Sequence, residues 1–317
     1  MPFIPFFSPV HRMTVYSAGF RAGLYPLIAA LLLLAFGCDS NSPPPTPPPA
    51  IPPAASQSAA PADNPASSEP ALPQARRVVA FAPTLVEYVF AMGEKNRLVG
   101  ASEYCDYPPE AKQIPVLGNA IQPDLERIIA AKPDLILGIG KSEKLLELAA
   151  NSPANTLRVE ALQIETLDQV IAAPEKIAAL MGLPGRGKGL HDRLKGDIDA
   201  VTKICQKRTT TPRVLVFTGE GDALFTIGRG SFLTDLVEVC GGDCVTKNLA
   251  KPWPTIGLED LAQANPDVIL MLQSKEDKDV TAAEKQALVD RWKDYADFPA
   301  VKNHRVLVLT GSHLLKG

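Results

Sequence analysis

One phrase occurs twice in this chain of 317 residues: Leu125-Glu126-x4-Ala131-x-Pro133-Asp134-x-Ile136-Leu137 returns as Leu258-Glu259-x4-Ala264-x-Pro266-Asp267-x-Ile269-Leu270. In both copies a short helical stretch breaks at Pro-Asp and turns into an apolar run that reads as a buried strand. A second echo, Arg77-Val78-x-x-Phe81 against Arg213-Val214-x-x-Phe217, again heads an apolar run at nearly the same offset before the phrase. Self-similarity on this scale predicts two related α/β lobes, and two like lobes leave a cleft between them.

The rest of each lobe fits strands alternating with covering helices. A strand is predicted at 77–81, then a helix with Thr84 as N-cap, Glu87 completing a capping box and Gly93 as its stop. Further strands are expected at 98–101 and 135–138, with helices at 124–131, 143–150 and 167–180, the last restarting at Pro174. The run Gly182-Leu-Pro-Gly-Arg-Gly187 breaks the pattern, and a helix follows with Leu190, Leu194, Ile198, Val201 and Cys205 on one face. At 1.5 Å per residue its roughly 20 residues would span about 30 Å, enough to join two lobes as a strut. In the second lobe a strand is expected from Arg213, a helix between Ser231 and Gly241, a helix from Leu258 and strands from Asp267 and Arg305. The chain stops eight residues after that last strand, so either the sequence is truncated or this lobe lacks a covering helix. The predicted fold class is α/β: two Rossmann-like lobes with parallel sheets, joined by a single long helix, with the ligand cleft between them.

Residues 1–76 do not read as a packed fold, which leaves roughly 240 residues for two lobes of ordinary domain size. Arg21 precedes an apolar run at 24–36 that closes on Gly37-Cys38, the layout of a lipoprotein signal, with Cys38 as the lipidated residue. The run is short for a membrane span, and a start at Met13 would give a signal of more ordinary length. From 39 to 76 the chain is rich in Pro, Ala and Ser, a composition that builds an extended tether. The expected organisation is a signal at 1–38, a tether at 39–76, a first lobe at 77–181, a linking helix at 182–208 and a second lobe at 209–317. The folded part is predicted to lie outside the cytoplasm, held to the membrane only through its lipid anchor.

A net charge of −3 with no basic run argues against a nucleic-acid partner. In an exported protein Cys105, Cys205, Cys240 and Cys244 allow three pairings. Cys240 and Cys244 flank Gly241-Gly242-Asp243, a turn able to bring them together, and are the candidate disulfide; the others are expected as buried thiols. The four histidines, His11, His191, His304 and His313, leave the first lobe with none, so no imidazole site for a bare metal is predicted there. His191 is expected as a solvated helix residue.

No residue set for catalysis is present: there is no Gly-x-Ser-x-Gly elbow, no His-Glu-x-x-His pair and no Cys with an evident His partner. Gly138-Ile-Gly140-Lys141-Ser142 lacks the leading glycine of a P-loop, and Gly219-x-Gly221 lacks the third glycine of a dinucleotide fingerprint. The chain is read as a non-enzyme without a cofactor of its own. What remains for the cleft is aromatic: Tyr104 and Tyr107 beside Pro108-Pro109 in one lobe, Phe225 and Trp253 in the other, with Arg229 near them. Such surfaces suit a bulky, flat or chelated ligand, and Arg229 would meet its acidic group or pair with a neighbouring acid. Glu126 and Glu259 occupy equivalent first-turn positions. Either they complement helix dipoles, or two matched carboxylates, one per lobe, meet two positive sites on a two-fold symmetric partner.

On three groups of residues the chain resembles the substrate-binding proteins of ABC importers for cobalamin and ferric siderophores. They are Gly100-x-x-x-Tyr104-Cys-Asp106-Tyr107-Pro108-Pro109, Asp124-Leu-Glu126-Arg127-Ile128 with Lys132-Pro133-Asp134, and Cys240-Gly241-Gly242 followed by Pro252-Trp253-Pro254. The resemblance runs from residue 77 to 317, and the last spacing is most similar to the cobalamin-binding members. It implies that Tyr104, Phe225 and Trp253 contact a cobalamin or another metal chelate, and that Glu126 and Glu259 dock arginines of an ABC permease coupled to its ATPase. Ala120 and Ile139 depart from it, standing where cobalamin binders offer tryptophans. A corrinoid receptor is the leading expectation, a ferric siderophore or haem receptor the second, and an exported enzyme or structural lipoprotein the third.

Overall fold

The computed structural model describes residues 73–119, 121–140, 143–151, 157–218, 225–273 and 280–311, without the side chains of residues 258, 259 and 262. Cys38, most of the tether, Ala120, Lys141, Ser142, Gly219 and Gly221 lie outside the described residues. The first lobe holds β1 (Val78–Ala80), β2 (Leu98–Ala101), β3 (Leu135–Ile139) and β4 (Arg158–Leu162), all parallel in the order β2-β1-β3-β4. The second holds β5 (Arg213–Thr218), β6 (Asp243–Cys244), β7 (Val268–Gln273) and β8 (Val306–Thr310), parallel in the order β6-β5-β7-β8. Strand for strand, the two orders are the same.

The duplicated phrase has one physical job in both copies. It forms α2 (Leu125–Ala131) leading into β3, and α7 (Leu258–Ala264) leading into β7. Each helix ends on a left-handed residue before the proline, Lys132 at φ 45° and Asn265 at φ 38°. The aspartate that follows reaches the echoed arginine. Asp134 accepts from the backbone N–H groups of Arg76 (2.8 Å) and Arg77 (3.1 Å), and Asp267 from that of Arg213 (2.8 Å). The two echoes are therefore the two halves of one clip that fixes the start of the first strand of each lobe.

Alternation along the strands gives each sheet two apolar faces. Val78, Ala80, Leu135 and Leu137 face the molecular interior, while Val79, Phe81 and Ile136 face an outer cluster with Ile128 of α2 and Leu145 of α3 (Glu143–Ala150). In the second lobe Leu215, Phe217, Ile269 and Met271 face Trp292 and Phe298, the latter at the start of α9 (Pro299–Lys302), beneath α8 (Ala282–Asp290). The interior cluster is continuous through both lobes.

That continuity comes from two helices, α4 (Leu167–Leu180) and α5 (Lys188–Cys205). The linking helix α5 is the long one expected, but α4 also meets the second lobe. Leu167 N donates to Asp235 Oδ2 of α6 (Phe232–Val239) at 2.8 Å, and Phe232 N donates to Glu165 O at 2.6 Å.

Three local expectations need correction. The first helix, α1, spans Pro83–Ala91 with Ala82 at its N-cap, because Pro83, with its fixed φ and missing N–H, suits the first helical turn; Thr84 lies buried inside. Pro174 does not restart α4. It withholds the N–H that Val170 O would have received, and the Tyr88 hydroxyl of α1 donates to that carbonyl instead, at 3.0 Å. Burial pushes the Tyr88 phenol well above its usual range, so it remains a donor. His191 is not a solvated residue: partly buried, it sets Nδ1 3.0 Å from Ile171 O and joins α5 to α4. A carbonyl only accepts, so this bond keeps the proton on Nδ1.

Candidate functional site

In an open parallel sheet, ligands bind beyond the carboxyl ends of the strands, where consecutive connections leave in opposite directions. In these lobes that point lies between β1 and β3 and between β5 and β7. The segment entering from β5 is tied down residue by residue. Thr218 N donates to Phe225 O (3.0 Å), and residues 225–229 run antiparallel to 249–255 through Thr226 N to Pro254 O (2.9 Å), Gly228 N to Pro252 O (3.0 Å) and Arg229 N to Leu249 O (2.9 Å). Thr226 is fully buried, and its hydroxyl donates to Val216 O of β5 at 2.7 Å.

With Thr226 pointing inward, the alternation turns Phe225 outward, 43% exposed; Trp253 on the facing segment is 42% exposed and Arg229 is exposed as well. The three residues read from sequence as ligand contacts in the second lobe thus share one ledge. Gly228 makes the ledge possible: a Cβ there would sit 2.3 Å from Lys251 O and 2.9 Å from Leu249 O. The Trp253 ring meets the buried Phe232 ring edge-on, at 6.1 Å between centroids and 67° between planes. Phe232 is also the residue whose N–H reaches Glu165 of the first lobe, so Trp253 stands at the junction of the lobes.

Tyr104 lies just beyond β2 and is 60% exposed. The turn that carries it is closed by Cys105 N to Ser102 O (3.1 Å), with the Cys105 thiol 3.2 Å from the Ser102 hydroxyl and both side chains buried. The peptide bond Tyr107–Pro108 that follows is cis. β2 and β4 are the two edges of the first sheet, and Glu165 follows β4. The strands that precede Tyr104 and Glu165 are thus three strand spacings, roughly 14 Å, apart. Ile139, by contrast, packs against the interior core.

Helices leading into parallel strands run antiparallel to them, so the first turns of α2 and α7 lie at the same carboxyl edges. Glu126 is exposed in the first turn of α2, and Glu259 holds the matching backbone position in α7. Among the described residues no group of three or more His, Cys, Asp or Glu could hold a metal ion.

A family model described as "Periplasmic binding protein" matches residues 78–312. The chain belongs to the periplasmic binding protein family. This binding protein is 29% identical over 207 residues to a vitamin B12-binding protein of Pectobacterium atrosepticum, covering 63% of this chain and 72% of the relative. Among solved structures it is similar to the periplasmic vitamin B12 binding protein of Vibrio cholerae, with TM-score 0.61, 23% identity, and 74% and 88% of the two chains covered. It is equally similar to a periplasmic heme binding protein of Pseudomonas aeruginosa, with TM-score 0.62, 24% identity, and 76% and 86% covered. The family binds and carries rather than catalyses, in accord with the absence of a catalytic motif in the sequence.

The proposed Cys240–Cys244 disulfide needs correction. In this structure the two sulfurs are not joined to each other, and both side chains are buried. Cys240 closes α6, where the adjoining backbone at Gly241 lies against Cys205 of α5. Cys244, in β6, sets its sulfur 3.5 Å from the Thr246 hydroxyl. The two cysteines near in sequence thus lie on different elements, Cys240 at the end of α6 and Cys244 in β6, within one core. Two site residues escaped the sequence reading: Thr226, which anchors the ledge, and Phe232, which backs Trp253. The threonine carries no distinguishing signal, and Phe232 reads only as an apolar helix residue behind the Ser231 cap.

Proposed function

We propose that this chain is the substrate-binding protein of an ABC importer that captures cobalamin or a related corrinoid outside the cytoplasm and delivers it to an inner-membrane permease and its ATPase. The ledge made by 225–229 and 249–255 carries this reading, since it sets Phe225, Arg229 and Trp253 on one exposed surface at the junction of the lobes. A corrinoid is wide, largely apolar, rimmed by amides and already chelates its metal, so it asks for flat aromatic walls and a few polar groups rather than ligating side chains. The relative from Pectobacterium atrosepticum, named for vitamin B12 binding, supports the same choice. Glu126 and Glu259 are the proposed docking pair for the permease.

Trp253 gives the test. It is the exposed tryptophan at the ledge, whereas Trp292 is buried against Phe217 at 5.0 Å between centroids. Stoichiometric cyanocobalamin is expected to quench most of the protein's tryptophan emission, and Trp253→Phe to abolish most of that quenching while lowering affinity roughly tenfold. Quenching by haem or a ferric siderophore in place of cyanocobalamin would select the second reading. Tyr104 favours that alternative, because its exposed phenol could ligate ferric iron.

We further propose that Cys38 carries the lipid anchor and that 39–76 is the tether. Cys38→Ser is expected to move the exported protein from the membrane fraction to the soluble fraction, and continued membrane recovery would contradict the anchor.

A further inference from the structure

We propose that Cys205 and Cys240 are a covalent cross-link site, where the end of the linking helix is joined to the second lobe by a disulfide formed on export. The ends of α5 and α6 that carry the two residues are packed together. Cys205 is the last residue of α5 and Cys240 caps α6. The backbone beside Cys240 lies directly on the last turn of α5, since a Cβ on Gly241 would stand 3.7 Å from both Cys205 Cβ and Cys205 O. Arg208 Nη1 donates to Cys240 O at 3.2 Å, holding the turn that follows α5 over the same cap. Both side chains are buried in the same interior core, 5% and 2% exposed.

The chemistry is thiol–disulfide exchange with a disulfide oxidant of the exported compartment. One cysteine sulfur attacks the oxidant's S–S bond, forming a mixed disulfide and expelling the first oxidant thiolate. The second sulfur attacks the protein sulfur of that bond, forming Cys205–Cys240 and expelling the second. The two protein protons pass to the two thiolates released, and the two electrons reside in the reduced oxidant. Burial holds the Cys240 thiol up at about 12 and raises that of Cys205 as well, so the exchange belongs to folding, before α5 has packed onto α6. The site rests on the reading that the chain is exported, because cytosolic thiols stay reduced.

Two experiments on the full chain separate the cross-link from export. In the first, purified protein is refolded in a mixture of reduced and oxidised glutathione, denatured, alkylated, and digested with trypsin and an enzyme cutting before Asp243. The expected product is the peptide Ile204-Cys205-Gln206-Lys207 joined to the fragment ending at Gly242. Alkylation of both Cys205 and Cys240, or a link from either to Cys244 or Cys105, would overturn the proposal whether or not the protein is exported. In the second, reductant is expected to lower the melting temperature of the wild type by roughly 10 °C, the scale for closing residues 205–240 into a loop. Cys205→Ser is expected to melt at the reduced wild-type temperature and to ignore reductant. A wild type equally indifferent to reductant would also overturn the proposal.

Discussion

Lysine at both Glu126 and Glu259 is expected to cut uptake of the ligand by more than about 100-fold, while affinity in solution stays within about twofold of wild type. The two residues hold matched backbone positions in the first turns of α2 and α7, at the carboxyl edge of each sheet. In the proposed docking, a two-fold symmetric permease would offer the same positive site twice, one to each of the two glutamates. Removing one partner of a desolvated charge pair costs about 2–5 kcal/mol, and reversal at both sites adds repulsion. The alternative role, complementing helix dipoles, involves about 0.3–1 kcal/mol per site and would appear as a small loss of stability with uptake retained. Transport assays beside solution titrations separate the two, and lost affinity with intact docking would contradict the assignment.

Gly228→Val is expected to abolish binding and to destabilise the second lobe by about 3 kcal/mol. The substituted Cβ would meet Lys251 O at 2.3 Å and Leu249 O at 2.9 Å, both backbone atoms that cannot turn aside. Relief requires 225–229 and 249–255 to separate, which breaks the Gly228 N to Pro252 O bond and moves Phe225 away from Trp253. Gly196 is the control. It lies in α5 with nothing within 4 Å of a built Cβ, so Gly196→Ala is expected to stabilise by roughly 0.5–1 kcal/mol without touching affinity. Thermal melts and ligand titration on both variants check the contrast. Unchanged binding by Gly228→Val would remove the ledge from the site.

Much of the architecture was legible because duplication doubled the signal. Pro133-Asp134 and Pro266-Asp267, read with Arg77 and Arg213, mark two copies of one strand-start clip, and they led to two parallel sheets of matching order. β4 was missed because it is an edge strand, mostly half-buried, with no apolar run to betray it. α8 was missed for a related reason: none of its residues is fully buried, and its Thr281–Glu284 capping box is local. Pro174 misled, since a proline inside a helix looks like a break until a partner such as Tyr88 satisfies the orphaned carbonyl from another element. The site followed the same division. Tyr104, Phe225 and Trp253 stand out as aromatics in loops, whereas Thr226 and Gly228, which set the ledge, act through backbone neighbours distant in sequence. Cys240 showed the limit of spacing as evidence, because the end of α6 that carries it packs on Cys205 of α5, far from it in sequence.

Calorimetric titration of the intact protein with cyanocobalamin, with haem, a ferric hydroxamate and a ferric catecholate as competitors, tests the central claim most directly. The account predicts one-to-one cobalamin binding at sub-micromolar Kd, undisturbed by the iron ligands and lost in Gly228→Val. Tight binding of haem or an iron chelate with no heat from cyanocobalamin would contradict it.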